Sequence, residues 1–354
     1  MAFELDKLVR PNIKTLKPYS SAKDEYTGDA KILLDANENS LGSPLTKWYN
    51  RYPDPYQQKL KDKLAFVKQI AANQIFIGNG SDECIDILFR TFCEPGKDNI
   101  IICPPTYPMY EVSANINDIA IQKAPLLSDY QLNLAHIEQL VNPNTKIIWI
   151  CSPNNPTGNS LDRIDIETIL NHFNGIVVVD EAYQEYAQGA SAISLLDAQR
   201  NVVVLRTLSK AHALAAARIG AVIADPALIQ VLQRCQAPYP LPEPSVDLAS
   251  RALTPEVLAE TARRVAITCE ERVRLAEALS GMAGVRRVYP SSANFLLVRF
   301  DNPEAAYKAL LAAGIVVRDM RHALGLGDAL RISLGTREQN DAVLATLAGP
   351  EAVA

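Results

Sequence analysis

Residues Val202–Gly220 read VVVLRTLSKAHALAAARIG. An apolar run of strand type passes into Thr207-Leu208-Ser209, places Lys210 at its end, and returns Arg218 eight residues later. A lysine there is either a solvated surface charge or an amine held for covalent chemistry, and the flanking chain has to decide. The run has no polar alternation, which is how a strand covered on both faces of a parallel sheet reads. Four more runs share the pattern: NQIFIG, DNIIICPP, TKIIWICSP and GIVVVDEAY. Helical periodicity separates them. In SDECIDILFRTFCEPG, Ile85, Leu88, Phe89 and Phe92 recur at helical spacing, Ser81 is placed to cap the start, and Pro95-Gly96 to stop it. Alternating strands and helices predict a doubly wound α/β lobe over residues 41–250.

Beyond TPEVLAE the pattern changes. A long charged helix, Glu256 to Leu279, leads to strands ANFLLVRF and ALRISLGT with the helix AAYKALLAAG between them. This predicts a smaller α+β lobe over 251–354, joined by 1–40. With 354 residues the chain has room for one large and one smaller unit, and its 48% hydrophobic, 21% charged make-up supplies an ordinary core. A net charge of −5 with no basic stripe argues against nucleic acid as partner. Neither a signal-peptide core nor an apolar run of membrane-spanning length is visible, so a cytoplasmic location is expected. Six cysteines without a CxxC pair and four scattered histidines suggest neither a disulfide framework nor a metal site.

In open α/β sheets, ligands bind beyond the carboxyl ends of the strands. After QIFI comes GNGSDE, where Gly80 permits close backbone approach and the amides of Ser81 and Asp82 open a helix that suits a phosphate. After IICPP comes TYPMY, with Tyr107 available to stack on a planar ligand. After IIWIC comes SPNNPTG with Asn155, and after IVVV come Asp180 and EAY. A carboxylate closing an apolar run is costly to bury without a cationic partner. Each cluster alone reads equally as a turn, a cap or a packed tyrosine. Five at successive strand ends make a site, in which Lys210 near other cations has a depressed pKa and becomes a nucleophile and base.

The order of these clusters resembles the fold-type I aminotransferases that use pyridoxal phosphate. GNGSDE, FCEPG, PPTYPMY, SPNNPTG, DEAY, RTLSKA and LRISLGT look most like the histidinol-phosphate aminotransferases, and the resemblance runs from PYSSAK and LDANEN to GTREQN. It implies that Lys210 forms the Schiff base with the cofactor aldehyde and then carries a proton between the amino acid Cα and the cofactor C4′. It places Asp180 on the pyridinium nitrogen, Tyr183 and Asn155 on the phenolic oxygen, and Tyr107 on the ring face. Ser81, Asp82, Ser209 and Arg218 would receive the phosphate. Tyr52 of RYPDP would reach the cofactor phosphate of a neighbouring subunit, so a homodimer with shared sites is expected. Arg331 would clamp an anionic group of histidinol phosphate and of 2-oxoglutarate in turn, helped by Arg318 and Tyr19. The family has phenylalanine where His212 stands, Gly-Leu where Ala216-Ala217 stand, and arginine where Lys23 stands. His212 is expected to pack behind the site rather than act in it. The competing readings are an aromatic aminotransferase, an amino-acid-phosphate decarboxylase on the same fold, and a non-catalytic cofactor-binding regulator. The regulator would need a DNA-binding addition that the chain has no spare length for, and no GxGxxG follows the first strand as a dehydrogenase would require.

Overall fold

A computed structural model describes residues 3–19, 32, 34–45, 47, 49–349 and 352. Eleven strands are found among them: β1 Ile75–Asn79, β2 Asn99–Ile102, β3 Ala120–Lys123, β4 Thr145–Cys151, β5 Ile176–Asp180, β6 Val202–Thr207, β7 Ile219–Ala224, β8 Val285–Val288, β9 Phe295–Phe300, β10 Arg318–Asp319 and β11 Ala329–Ser333. The first seven form one sheet in the order β1-β7-β6-β5-β4-β2-β3, and the last four form a second in the order β10-β11-β9-β8.

In the large sheet β3-β2-β4-β5-β6 pair in parallel. β7 runs antiparallel to both β6 and β1, so six strands point one way and β7 alone is reversed. Both faces are covered. Along β4, Ile147, Trp149 and Cys151 enter one apolar core with Leu88, Phe89 and Phe92 of the helix Gly80–Phe92. Ile148 and Ile150 enter another with Ile166, Ile169 and Leu170 of the helix Arg163–His172. Alternate side chains of one strand thus fill opposite cores, which is why the run is apolar throughout. All five expected strands are present; β3 and β7 are additions.

Two expectations are corrected. Ser81 does not cap the helix after β1: the helix begins at Gly80, and the Asn79 amide is satisfied by the Glu83 carboxylate at 2.5 Å. The described start of the N-terminal segment also sits elsewhere than expected. Val9 and Ile13 are buried in the large sheet's core, and Arg10 reaches Glu94 and the Arg90 carbonyl, so residues 3–19 lie on the large lobe. Val9 ends the short helix Leu5–Leu8 in extended conformation and Ile13 sits in the next turn, Pro11–Lys14, and both cover an open flank of that core. Lys23 lies outside the described residues.

The helix Pro255–Ser280 joins the two sheets. Its middle lays Val265 and Cys269 against Tyr183, Tyr186 and Phe295, while Leu275 and Leu279 enter the antiparallel sheet's core with Leu296, Val298 and Leu330. Arg272 fastens the crossing point by donating to the carbonyls of Tyr186 (3.2 Å) and Ala293 (2.8 Å).

Candidate active site

A cleft of about 300 Å³ opens where the carboxyl ends of the large sheet's strands face the second sheet. Ser81 and Asp82 reach it from the β1 end, Tyr107 from beyond β2, Asn155 from beyond β4, Asp180 and Tyr183 from β5, and Ser209 and Lys210 from β6. Arg218 enters at the start of β7, and Arg318 and Arg331 come across from β10 and β11.

The phosphate-sized end of the cleft is shaped by two glycines. Gly80 has φ +80°, and a Cβ there would lie 2.3 Å from the Arg218 guanidinium. A Cβ on Gly220 would lie 2.3 Å from the Ser81 amide nitrogen and 2.4 Å from the Gly80 carbonyl carbon. Only without side chains can β7 and the helix start meet, leaving the amides of Ser81 and Asp82 beside Arg218 at the positive end of a 13-residue helix. Arg218 bonds Asp82 at 3.2 Å. Thr207 orders the next turn, its hydroxyl accepting from the Ser209 amide (3.0 Å) and donating to the Ser209 hydroxyl (2.9 Å).

At the opposite side Asp180 is 3% exposed and makes no ion pair among the described residues. It accepts from the Tyr110 hydroxyl at 2.7 Å and from the Ala182 amide at 3.1 Å. Burial pushes its carboxyl up to about 6, against the pull of those two hydrogen bonds. Sequence reasoning missed Tyr110. It is fully buried, stacks on Trp149 with centroids 4.8 Å apart, and edges Tyr107. No local pattern marked it, since Tyr107 precedes the helix Met109–Ile116 that carries Tyr110. Tyr107 itself donates to Asp82 at 3.1 Å.

Lys210 has open area towards the cleft but is crowded by protein on its other sides, and it stands 5.6 Å from the Tyr183 ring centroid. Desolvation first, then the positive charge of Arg331, lowers its pKa, while Asp180 and Asp82 oppose that shift. Burial likewise raises the Tyr183 hydroxyl well above its ordinary value. Arg331 donates to the Asn155 side chain, packs over Phe295, and has a buried Nε without a partner among the described residues. Arg318 is its cross-strand partner. Burial, and then Arg318 beside it, pulls the Arg331 guanidinium below its ordinary value, with Tyr183 opposing. Like charges directly opposite on two strands repel, so this pair is arranged for an anion between or before it.

Met320 and His322 also line the cleft and were not foreseen. Alternation along Arg318, Met320 and His322 was the signal, since Asp319 and Arg321 between them pair with each other at 2.7 Å. Tyr52 and Tyr19 are not brought into this cleft. Both are exposed and line a separate surface pocket, where Tyr52 stacks on Tyr239 at 4.5 Å. His212 does not line the cleft, and its Nδ1 is buried and unpartnered among the described residues. Desolvation lowers its pKa, although the nearby Glu185 opposes this.

A lysine, a buried carboxylate, a phosphate-shaped helix start and an arginine pair around one cleft describe an aminotransferase. The chain matches the model of aminotransferase class I and II over residues 25–347 and belongs to that family. It is 48% identical over 355 residues to the histidinol-phosphate aminotransferase of Stenotrophomonas maltophilia (strain R551-3), covering 98% of this chain and 97% of that one. In fold it is similar to the histidinol-phosphate aminotransferase of Clostridium acetobutylicum, with a TM-score of 0.78 at 22% identity over 86% of this chain and 91% of that one. A further likeness, TM-score 0.75 at 24% identity, covers 84% of this chain and 82% of the Sinorhizobium meliloti histidinol-phosphate aminotransferase, solved with pyridoxal-5′-phosphate.

The family depends on pyridoxal phosphate, and the residues here suit it. Asp180 is a buried carboxylate lacking the cation that would justify its burial, which a protonated ring nitrogen supplies. The cradle at Gly80 and Gly220 leaves free amides and a guanidinium for a phosphate dianion.

Proposed function

We propose that this cleft transfers an amino group from L-histidinol phosphate to 2-oxoglutarate, giving imidazole acetol phosphate and glutamate, as a cytoplasmic step of histidine biosynthesis. The observation carrying this reading is the Arg318–Arg331 pair, two opposed cations on β10 and β11 facing Lys210 and Asp180 across one cleft. A phosphate ester and a dicarboxylate, bound in alternation, share one requirement: an anion clamp at a fixed distance from the reacting amine. The near-full-length likeness to enzymes of that name supports the same substrates.

When bound, the cofactor supplies an electron sink for the charge left on the amino acid Cα. The protein's own parts divide the remaining work. Asp180 holds the proton on the ring nitrogen, and Tyr110 holds Asp180 in the orientation to do so. Tyr183 and Asn155 hydrogen-bond the phenolic oxygen, and Tyr107 covers one ring face. Ser81 and Asp82 amides, Ser209 and Arg218 hold the phosphate, Gly80 making room for the guanidinium. Lys210 is the amine that would hold the cofactor by its aldehyde, and its lowered pKa suits it, when free, to take up and give back the proton of the amino acid Cα. Arg331, aided by Arg318, fixes the substrate anion; Tyr19, which lines the separate pocket with Tyr52, takes no part in this cleft.

Tyr52 reaches the cofactor phosphate of a second copy of this chain, so the working form is a homodimer. Its exposure in a pocket apart from its own cleft supports this. Among the described residues no helix is long and apolar enough to cross a membrane.

The test is a half-reaction. The protein is loaded with pyridoxal phosphate and its visible absorption followed after adding histidinol phosphate, then phenylalanine, each without acceptor. Bleaching by histidinol phosphate, restored by 2-oxoglutarate, is expected. Equal bleaching by phenylalanine would move the chain to the aromatic aminotransferases, carbon dioxide release without keto product to the decarboxylases, and no visible band would remove Lys210 from the chemistry.

A further inference from the structure

We propose that Arg299 is a positioning residue for substrate recognition: it fixes the segment carrying Arg318 and Met320 against the large lobe. The inference rests on reading Arg318 and Arg331 as the anion clamp. The clamp's outer half is weakly built. β10 has two residues, and beyond it the chain returns to β11 through a loop with few main-chain bonds, Met320 to Ala329 (3.2 Å), Ala323 to Met320 (2.9 Å) and Leu326 to Ala323 (3.1 Å); side chains do the rest, Arg321 pairing with Glu304 and Asp328 being held by Arg286 (2.8 Å) as well as by Arg299. Two arginines opposed across such a short strand push it away from β11.

Arg299 sits on β9 opposite Ala329 of β11 and does not line the cleft. All three of its guanidinium nitrogens are engaged. Nε donates to the Tyr289 hydroxyl (2.8 Å), Nη1 to Asp328 (2.5 Å), and Nη2 to the Gly325 carbonyl (2.6 Å) and the Tyr130 hydroxyl (3.2 Å). Asp328 and Gly325 belong to the returning segment, whereas Tyr130 belongs to the large lobe. Only a planar fork with several fixed donors spans these acceptors at once. Beneath it Tyr130, Tyr289, Leu297, Met320 and Leu326 close one apolar cluster, and Met320 is also a wall of the cleft.

The connection continues to the site from the other side. The Tyr130 carbonyl accepts from Asn159 (3.0 Å), Asn159 accepts from Thr157 (2.6 Å), and Thr157 accepts from Asn154 (2.7 Å), next to the Asn155 that Arg331 bonds. Arg299 therefore closes a circuit of hydrogen bonds between the turn presenting Asn155 and the segment presenting Arg318. Its removal frees the outer clamp without touching the cofactor's contacts.

The experiment compares wild type, Arg299→Gln, Arg299→Lys and Tyr130→Phe as holoenzymes. It measures KM and kcat for histidinol phosphate and 2-oxoglutarate, and by calorimetry the Kd of glutarate, an unreactive dicarboxylate. In Arg299→Gln both KM values and the glutarate Kd should rise about tenfold, with kcat within about threefold of wild type and the visible spectrum unchanged; displacement of a binding group by about an ångström has effects of this order or larger. Arg299→Lys should not restore them, because an ammonium cannot reach all the acceptors. Tyr130→Phe keeps the ring and loses one acceptor, so it should give the same split at about threefold, and it decides the matter if Arg299→Gln does not fold. Unchanged KM and glutarate Kd, or a fall in kcat at constant KM, would overturn the proposal and leave Arg299 as scaffold. If wild type binds glutarate but does not turn over histidinol phosphate, the substrate reading fails while the glutarate Kd series still tests the positioning role. No glutarate binding by wild type would overturn both.

Discussion

Replacing Asp180 by asparagine should abolish transamination and yet stabilise the cofactor-free protein at neutral and alkaline pH. The carboxyl is 3% exposed, without an ion pair among the described residues, and burial raises it from 3.8 to about 6. At about 1.4 kcal/mol per pH unit, that shift makes the ionised form about 3 kcal/mol less favourable in the folded chain than in the unfolded one. The sign follows from proton affinity. The folded state binds this proton more tightly, so the contribution to stability is full below the unfolded value near 4. It is lost as pH rises through about 6. Asparagine has the same shape and carries no charge, so Asp180→Asn should exceed wild type by about 3 kcal/mol at pH 8, narrowing to about 1 kcal/mol near pH 4.5. Reversible denaturant unfolding of the cofactor-free proteins across that range measures the difference. Saturating pyridoxal phosphate should reverse the order, because a cationic ring nitrogen would partner the aspartate and not the amide. A variant less stable than wild type at pH 8, or an advantage that does not shrink on acidification, would refute the claim that Asp180 is an uncompensated buried charge awaiting the cofactor.

Three further outcomes are expected. Gly220→Ala forces its methyl against the Ser81 amide and should weaken pyridoxal phosphate binding at least tenfold in a fluorescence titration, with about 1–3 kcal/mol of lost stability. Arg331→Lys should raise KM for donor and acceptor together by about 10- to 100-fold, since a two-pronged charge-assisted contact becomes a single one. Tyr110→Phe removes a hydrogen bond that favours the Asp180 carboxylate, so Asp180 should titrate higher still; the acidic limb of the kcat profile should move to higher pH, read from steady-state rates between pH 5 and 8.

Much of this was legible in the sequence because burial on both faces leaves an unmistakable apolar run, and because polar clusters at strand ends have little else to do in such a sheet. The five runs became β1, β2, β4, β5 and β6, and their trailing clusters meet in one cleft. β7 escaped because Gly220 interrupts its pattern one residue after the Arg218 loop, and the reason for that glycine, contact with a helix start, is tertiary. β3 escaped because it is a half-exposed edge of four residues, too short and polar to stand out. The lodging of Val9 and Ile13 on the large lobe depends on which core has an open flank, which no local pattern states. Tyr110 and Arg299 were invisible for the same reason: a tyrosine or arginine earns its role from distant acceptors, here Asp180, 70 residues away, and Tyr130, 169 residues away.

The reversal of β7 decides which groups share a sheet. Because β7 runs back beside β6, Thr207 faces Gly220, and the loop between them brings Lys210 and Arg218 to the same rim. On the proposed reading, one hairpin would hold the cofactor at both ends, Lys210 at its aldehyde and Arg218 at its phosphate. Arg331 and Arg318, the proposed anion clamp, ride on the other sheet. The groups proposed to hold the substrate anion and those proposed to hold the cofactor phosphate thus lie on different sheets, so an anion can leave Arg331 and Arg318 without a contact at Arg218 being broken. Two substrates can thus visit in succession without the enzyme losing what the first one left behind.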